Sequence, residues 1–285
     1  MIERRPVADA VGHLLLIVTI LIVAFPIYLA IIAASHTLQG ISQVPMPLLP
    51  GAEFFANVAR ALLDGPQIVG VGRGTSALTL MSNSLIMAIS IAVGKIIISL
   101  LSAFAIVYFR FPLKNFFFWM IFITLMLPVE VRIIPTYKVV ADLGMLDTYT
   151  GLVLPLIASA TATFLFRQFF MTVPDELVEA ARIDGAGPMR FFVDVLVPLS
   201  RTSIAAMFVI QFIYGWNQYL WPLLIAAAPE YQTIVLAIGR LMRAPDAYEE
   251  WPLIMGMAFL ALLPPVLVVV LMQRWFVKGL VETEK

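Results

Sequence analysis

Long apolar runs separated by short polar segments dominate this chain. Six runs approach the roughly 20 apolar residues that a helix needs to cross a bilayer, and they lie near 11–33, 81–108, 116–136, 151–171, 203–226 and 254–274. The first run continues without a charge from Leu14 to Ala34, which is longer than the apolar region of a secretory signal, about 7–15 residues. The pattern therefore predicts an all-α membrane protein with six transmembrane helices and an uncleaved first span.

Composition changes the picture by excluding a soluble fold. Apolar residues make up 61% of the chain, charged residues 13%, and mean hydropathy is +0.97. Soluble domains carry about 25% charged and about 45–50% apolar residues. The net charge is zero, so no basic footprint for nucleic acid is present. The chain has no cysteine, which excludes disulfides and thiolate metal sites. Lipid is the expected cover for the apolar surface.

The distribution of lysine and arginine predicts the orientation in the membrane. With both termini in the cytoplasm, eleven basic residues fall in or beside the cytoplasmic segments: Arg4, Arg5, Arg110, Lys114, Arg167, Arg182, Arg190, Arg201, Arg274, Lys278 and Lys285. The outer segments hold five, although they are longer in total, and two lie within spans. Because orientation follows this bias, the sequence predicts a multi-pass protein with both termini inside.

This topology predicts two parts of the chain. Residues 1–80 would hold the first transmembrane helix and a large periplasmic loop that contains the Pro- and Gly-rich sequence VPMPLLPG. Residues 81–285 would form a core of five helices that includes a cytoplasmic loop at 172–202.

The cytoplasmic loop predicts a helix–turn–helix. Pro174 suits the start of a helix, and Asp175 and Glu176 would lie in its first turn, where the helix dipole favours carboxylates. Gly185 suits a helix end, and Gly187 with Pro188 a second start. Each helix has a partly apolar face, predicted as Leu177, Ala180, Ala181 and Asp184 in the first and Met189, Phe192, Val193 and Leu196 in the second. Such faces indicate packing on a partner protein.

One motif in this loop resembles a known family. Glu179-Ala180-Ala181, Gly185, Val195 and Val197-Pro198 follow the spacing of the EAA loop of binding-protein-dependent ABC import permeases, which usually have Ile and Leu in place of the two valines. The resemblance implies a type I importer permease fold in which the loop is a coupling helix seated on a separate ATPase. The implied coupling residues are Glu179, Ala180, Ala181, Asp184, Gly185, Met189 and Pro198. An ordinary amphipathic connector is the alternative.

Further segments resemble one branch of that family along nearly the whole chain. GKIIISLLSAFAIVYFRFPLKN, FFFWMIFITLMLPVEVRIIPT, FIYGWNQYLWPLL and QRWFVKGLVETEK are similar to permease subunits of bacterial sn-glycerol-3-phosphate importers. The resemblance implies a sister permease in a heterodimer, two copies of an ABC ATPase, a periplasmic substrate-binding protein and a place in the inner membrane. ATP and Mg would be bound by the ATPase subunits, and this chain, which lacks a Walker-type loop, would be non-catalytic.

Ionisable residues within spans are costly and mark candidate pathways. Lys95 lies centrally in the second predicted span, and Glu130 and Arg132 lie between Pro128 and Pro135. An anionic cargo would explain Lys95, whereas pairing with Glu130 or with the sister subunit would give it a structural role. For Arg132 the alternative to a pathway role is extension of its side chain toward the outer headgroups.

Polar residues in the fifth predicted span have two interpretations. Asn217, Gln218 and Tyr219 could hydrogen-bond a polyol, or could hold helices together as such residues do in membranes. Ser82, Asn83 and Ser84 could line an outer mouth or cap the second span. Two competing functions remain: the same permease architecture with a neutral sugar or polyol as cargo, and a secondary transporter, which would leave the EAA-type loop unexplained.

Overall fold

The computed structural model describes residues 6–68, 72–124, 128–244 and 250–281. Apart from a two-stranded antiparallel hairpin, β1 Gln67–Ile68 with β2 Gly72–Arg73, the regular structure in these residues is helical. The α-helices are α1 Pro6–Ala34, α2 Leu38–Ile41, α3 Phe54–Leu63, α4 Ala77–Tyr108, α5 Lys114–Ile123, α6 Val129–Asp142, α7 Tyr149–Val153, α8 Ala160–Phe170, α9 Asp175–Ile183, α10 Pro188–Phe191, α11 Val197–Leu199, α12 Arg201–Trp216, α13 Leu220–Ile225, α14 Ile234–Leu241 and α15 Trp251–Val281. Short 3₁₀ turns occupy Leu154–Leu156 and Pro229–Tyr231, and a π-helical turn occupies Phe192–Leu196.

Three helical stretches in the described residues are long and apolar enough to cross a bilayer: Ala10–Ala34, Ala77–Tyr108 and Trp251–Trp275. Two bent pairs pass the same criterion together, Tyr149–Leu156 with Ala160–Phe170 at 47° and Pro188–Leu199 with Arg201–Trp216 at 74°. The fold therefore has three to five candidate spans by length and apolarity, and the total of six stays a prediction.

The third predicted span is not one helix. Residues 116–136 hold most of α5 and the first half of α6. Pro128 precedes α6 with an extended backbone (ψ 143°), and proline has no N–H with which to continue a helix ladder. The prediction of one continuous helix over this span was wrong. The apolar sequence continues on both sides of Pro128, but the backbone at Pro128 is not helical.

The chain forms two compact units. The first comprises Met1–Thr79 and Ala237–Leu263, and the second Leu80–Leu236 and Pro264–Lys285. The predicted division into 1–80 and 81–285 stays a prediction about domains.

In the first unit, side chains close the C-terminal end of α1. The Asn57 amide donates to the carbonyl oxygens of Ala34 (2.9 Å) and His36 (3.0 Å). The hydroxyl of the buried Ser35 accepts from the Gly51 N–H at 2.8 Å, and a side chain at Gly51 would lie 2.3 Å from the Ser35 carbonyl oxygen. The two bonds from Asn57 satisfy carbonyls at the end of α1, which every helix end leaves open, and the bond from Gly51 anchors the segment that follows α1.

The first unit also exposes most of α1. In the most apolar 18 residues of the stretch Ala10–Ala34, only 6% of the residues are buried. Side chains such as Leu14, Ile20 and Val23 are more than half exposed. An apolar helix of this kind lies in lipid or against another membrane subunit.

In the second unit, α4 contributes to two buried clusters. One joins Leu100 and Phe104 of α4 to Phe166 of α8, to Leu196 of the π-helical turn and to Met207 of α12. The other joins Met87 and Ile91 of α4 to Ile133 of α6 and to Trp221 and Ile225 of α13. Lys95 lies on α4 between these clusters in sequence, so both of its neighbouring turns are fixed by packing.

Candidate functional site

The loop at 175–198, called the elbow below, is a helix–turn–helix, as predicted. Asp175 and Glu176 lie in the first turn of α9. Gly185 has a φ of +72°, its N–H bonds to the Arg182 carbonyl at 3.0 Å, and the Ala186 N–H bonds to the Ala181 carbonyl at 2.8 Å. This pair of bonds closes a helix in the Schellman manner, which favours glycine at the left-handed position. A second helix then begins at Pro188, with Gly187 as its N-cap residue.

The inner face of the elbow packs into the second unit. Val178 and Ala181 of α9 pack against the cluster that contains Phe104. The ring of Phe192 lies 4.9 Å from that of Phe104, and the ring of Phe191 lies 5.5 Å from that of Tyr108. The predicted apolar stripes were therefore wrong in part: Ala181, Phe192 and Leu196 face inward, whereas they had been grouped with residues that face outward.

The outer face of the elbow presents apolar side chains to the surroundings. Four of them are substantially exposed: Leu177 37%, Ile183 85%, Met189 56% and Val193 55%. Glu179, Ala180, Asp184 and Gly185 are also exposed. An exposed apolar patch with a charged border is typical of a docking surface.

Pro198 lies just before the corner that turns the elbow into the next span. It belongs to α11, and the chain bends by 74° between Leu199 and Arg201. The Ser200 hydroxyl at this corner is buried and donates to the Leu196 carbonyl at 2.6 Å. The bond joins Ser200, the residue that precedes α12, to the π-helical turn of the elbow.

The second unit holds a polar cavity of about 160 Å³ beside Lys95. Its lining includes Lys95 from α4, Arg132 and Thr136 from α6, and Tyr214 and Gln218 from α12 and the residues just after it. Pro155, Leu156, Ala158 and Trp221 form apolar parts of the wall. The volume far exceeds the roughly 10–15 Å³ that one water needs, so a small polar solute fits.

Lys95 is held in this cavity without an acidic partner among the described side chains. It is 6% exposed. Its Nζ donates to Gln211 Oε1 at 3.1 Å and lies 3.6 Å from the centre of the Tyr214 ring, a cation–π distance. Lys95 lies roughly 20 Å along the axis from the nearer end of α4, at about 1.5 Å per residue.

Close approaches of backbone shape the cavity wall. A side chain at Gly94 would lie 2.8 Å from Cγ2 of Ile157, so glycine lets the segment 154–159 approach the turn that carries Lys95. Trp221 Nε1 donates to the Gly151 carbonyl at 3.1 Å, which joins α13 to α7. Small residues and buried polar bonds of this kind are typical of packed membrane helices.

The structure brings together three of the predicted pathway residues, Lys95, Arg132 and Gln218. Asn217 and Tyr219 lie at the interruption between α12 and α13 rather than inside a continuous span, and neither is among the described residues that line the cavity. Glu130 lies in the first turn of α6, and its side chain is outside the described part of the chain.

Sequence reasoning missed Gln211 and Tyr214. Both contact the Lys95 ammonium, and both come from α12. A signal was present: Gln211, Tyr214 and Gln218 are spaced i, i+3 and i+7 in the sequence, which predicts three polar side chains on one face of a largely apolar helix, although α12 ends at Trp216, before Gln218.

The polar residues near the start of α4 have a structural role. The buried Asn83 amide donates to the carbonyls of Glu230 (2.7 Å) and Gln232 (2.9 Å), and its oxygen accepts from the Tyr149 hydroxyl at 2.6 Å. Ser84 Oγ accepts from the Ile234 N–H at 2.9 Å. These contacts hold the segment 229–234 against α4, and neither residue caps the helix.

An apolar helical chain with a partly enclosed polar cavity and an exposed apolar patch on the elbow has the features expected of a membrane permease. Comparison with known proteins gives the family. The family described as "Binding-protein-dependent transport system inner membrane component" matches residues 95–282, and the chain belongs to this family. It is a permease component of a binding-protein-dependent transport system in the inner membrane.

Individual relatives match the chain over its whole length. The sn-glycerol-3-phosphate transport system permease proteins UgpE of Brucella melitensis biotype 1 and of Agrobacterium fabrum are each 62% identical to it over 286 residues, covering 100% of both chains. The protein of the same name from Yersinia enterocolitica is 57% identical, again over 100% of both chains.

A solved structure confirms the fold. A chain from the crystal structure of a bacterial ABC transporter involved in the import of the acidic polysaccharide alginate superposes with a TM-score of 0.82, covering 97% of this chain and 99% of that chain. At 20% sequence identity this likeness concerns the fold, which is that of an ABC importer permease.

Proposed function

We propose that this chain is the permease subunit that carries sn-glycerol-3-phosphate, and related glycerophosphodiesters, inward across the inner membrane. The observation that carries the proposal is the full-length likeness, at 57–62% identity, to relatives named for sn-glycerol-3-phosphate transport. The polar cavity around a buried lysine supports an anionic cargo, since the ammonium has no carboxylate partner among the described side chains and would gain from an anion that enters the cavity.

The transport machine is divided among subunits. This chain pairs with a sister permease, two copies of an ABC ATPase bind ATP and Mg and hydrolyse ATP, and a periplasmic binding protein delivers the cargo. The exposed apolar patch on the elbow supports docking on the ATPase. Its inner face, packed against α4, supports transmission of the ATPase movement into the membrane helices.

The chain crosses the membrane six times with both termini in the cytoplasm, so that the elbow faces the ATPase. Closure of the ATPase pair pulls the elbow and opens the permease pair outward, and hydrolysis returns it to the inward-facing packing. Each step requires a ligand that binds the two packings with different affinity; nucleotide and loaded binding protein supply this difference.

Uptake by the reconstituted complex tests the cargo. The chain is co-expressed with its partner subunits, placed in proteoliposomes, and supplied with radiolabelled sn-glycerol-3-phosphate or maltose, with and without ATP. The proposal expects ATP-dependent uptake of the phosphoester and none of maltose. Uptake of maltose alone would favour the neutral-sugar alternative, and uptake that survives removal of the ATPase would favour a secondary transporter.

The orientation has a separate test that uses the absence of cysteine. A single cysteine at Asp184 in the elbow, or at Leu48 in the predicted periplasmic loop, is labelled in intact cells by a membrane-impermeant maleimide. The proposed topology expects labelling at 48 in intact cells and at 184 only after the membrane is opened. The reverse pattern would contradict the coupling role of the elbow.

A further inference from the structure

The Lys95 ammonium, which lines the polar cavity, has more hydrogen-bond donors than the described residues accept from. An ammonium has three N–H donors. In the described residues one of these bonds Gln211 Oε1 at 3.1 Å, and the Tyr214 ring covers another side of the group at 3.6 Å. Both partners are neutral, so they hold the cation without neutralising it.

A second cation borders the same cavity. Arg132 lines it together with Lys95, and its side chain is exposed whereas Lys95 is buried. Two like charges beside one partly enclosed cavity disfavour each other. An anion that enters between them relieves this repulsion and gains charge-assisted hydrogen bonds from both.

We propose that Lys95 and Arg132 form a phosphate-binding station on the translocation path, with Gln211 and Tyr214 as positioning residues that keep Lys95 aimed at the cavity. A phosphomonoester carries about −1.5 to −2 charges near pH 7, which matches two cations. Thr136 and Gln218, also in the lining, offer groups to the hydroxyls of a polyol. The inference rests on the proposed function and names the part of this chain that contacts the cargo.

The neutral partners explain how the station releases its cargo. A carboxylate in place of Gln211 would bind the ammonium permanently and compete with the phosphate. An amide oxygen and an aromatic face bind it more weakly, so that Lys95 exchanges between its resting partners and the cargo. Binding that is strong enough to admit the anion and weak enough to free it is what a pathway requires.

The main test compares two cargoes that differ in charge. Uptake of radiolabelled sn-glycerol-3-phosphate, a monoester, is measured beside uptake of a glycerophosphodiester, which carries one negative charge. For Lys95→Gln and Arg132→Gln we expect monoester uptake to fall about ten- to hundredfold and diester uptake to fall clearly less. Lys95→Arg should restore much of the loss. A binding protein delivers both cargoes, so the loss should appear in the maximal rate rather than in KM.

Isosteric changes test the positioning residues. Gln211→Glu places a carboxylate at the ammonium, and we expect it to reduce monoester uptake about as strongly as Lys95→Gln. Tyr214→Leu, which removes the ring, should reduce it about three- to tenfold, whereas Tyr214→Phe, which keeps the ring, should restore most of that loss. A purely structural role for Lys95 predicts instead that Gln211→Glu is harmless, because it completes an ion pair.

Lys138→Gln is the matched control. Lys138 is exposed, pairs with Asp142 at 2.8 Å and does not line the cavity, so both uptakes should be unchanged. All rates are compared at equal amounts of assembled complex. Equal losses for both cargoes, or no loss in the Lys95 and Arg132 variants, would overturn the station while leaving the proposed function intact. Failure of the unchanged complex to transport either phosphoester would overturn the proposed function, and the station with it.

Discussion

Single residues decide how the elbow turns. Gly185 has a left-handed φ of +72°, whereas Gly187, two residues on, has a φ of −69°. A side chain would have open space at either position, so the two glycines differ in backbone conformation alone. This makes them a matched pair for testing whether the geometry of the turn matters to transport.

We expect Gly185→Val to uncouple transport. A β-branched residue in the left-handed region costs about 1–3 kcal/mol, which disfavours the Schellman closure of α9. Uptake by the reconstituted complex should fall roughly tenfold or more, while ATP hydrolysis continues. Gly187→Val, in an extended conformation before a proline, should transport normally. Equal uptake by the two variants would contradict a coupling role for this turn.

Asn83 shows how one buried side chain fixes a distant segment. Asn83→Leu leaves the carbonyls of Glu230 and Gln232 and the Tyr149 hydroxyl without their partner. Asn83 itself is buried, and each hydrogen bond that it makes contributes about 0.5–1.5 kcal/mol, so we expect the thermal midpoint of the purified protein in detergent to fall by several degrees. Tyr149→Phe removes one of these bonds and should cause a smaller fall. A midpoint that Asn83→Leu leaves unchanged would mean that water satisfies these groups.

At the scale of helices, the sequence predicted where a helix ends from nearby residues, but it did not predict where an apolar span is broken. The ends of α9 could be predicted from Pro174, the acidic first turn and Gly185, because capping depends on nearby residues. The breaks at Pro128 and at 157–159 could not be located from hydropathy. Apolarity is the same on both sides of each break, and membrane helices accept proline when neighbours satisfy the freed backbone.

Helix packing in the second unit depends on small residues. A side chain at Gly215 of α12 would lie 2.9 Å from Cα of Ala88 in α4, closer than real contacts allow. We therefore expect Gly215→Val to separate these helices at a cost of about 1–3 kcal/mol, seen as a lower yield of folded, monodisperse protein. Gly215→Ala should give an intermediate yield.

The control for the Gly215 variants is Gly12→Val in α1, where a side chain would meet no atom within 4 Å. It introduces the same residue into an apolar helix, so its yield should match the unchanged protein. If Gly12→Val and Gly215→Val lose folded protein equally, valine in an apolar helix is the cause, and the close approach to Ala88 is not.

For the whole molecule, composition and the loop motif were sufficient to predict the class and the fold. The cavity was predicted in part. Lys95 and Arg132 stood out because charges are rare in apolar spans, whereas Tyr214 and Gln211 did not, since an aromatic ring and an amide are common packing residues in membranes. Their meeting with Lys95 depends on how α12 packs on α4, which is a tertiary property that no local pattern contains.

The last prediction concerns the surface that we propose joins this chain to its ATPase. The exposed apolar residues of the elbow, Ile183 and Met189 above all, would be buried in that contact. A charge placed in such a contact loses its hydration without a partner. We therefore expect Ile183→Glu and Met189→Glu to lose the ATPase on co-purification in detergent, by about tenfold or more, while the folded permease pair is still recovered.

The control is Leu143→Glu, at the end of α6, which is 65% exposed and lies outside the elbow. It adds the same charge to an exposed apolar position and should retain the ATPase. The sequence pattern did not name Ile183, whose side chain is 85% exposed and is therefore available for such a contact. Full retention of the ATPase by both elbow variants would show that the contact lies elsewhere, and the packing of α9 on α4 would then be a means of stabilising the permease alone.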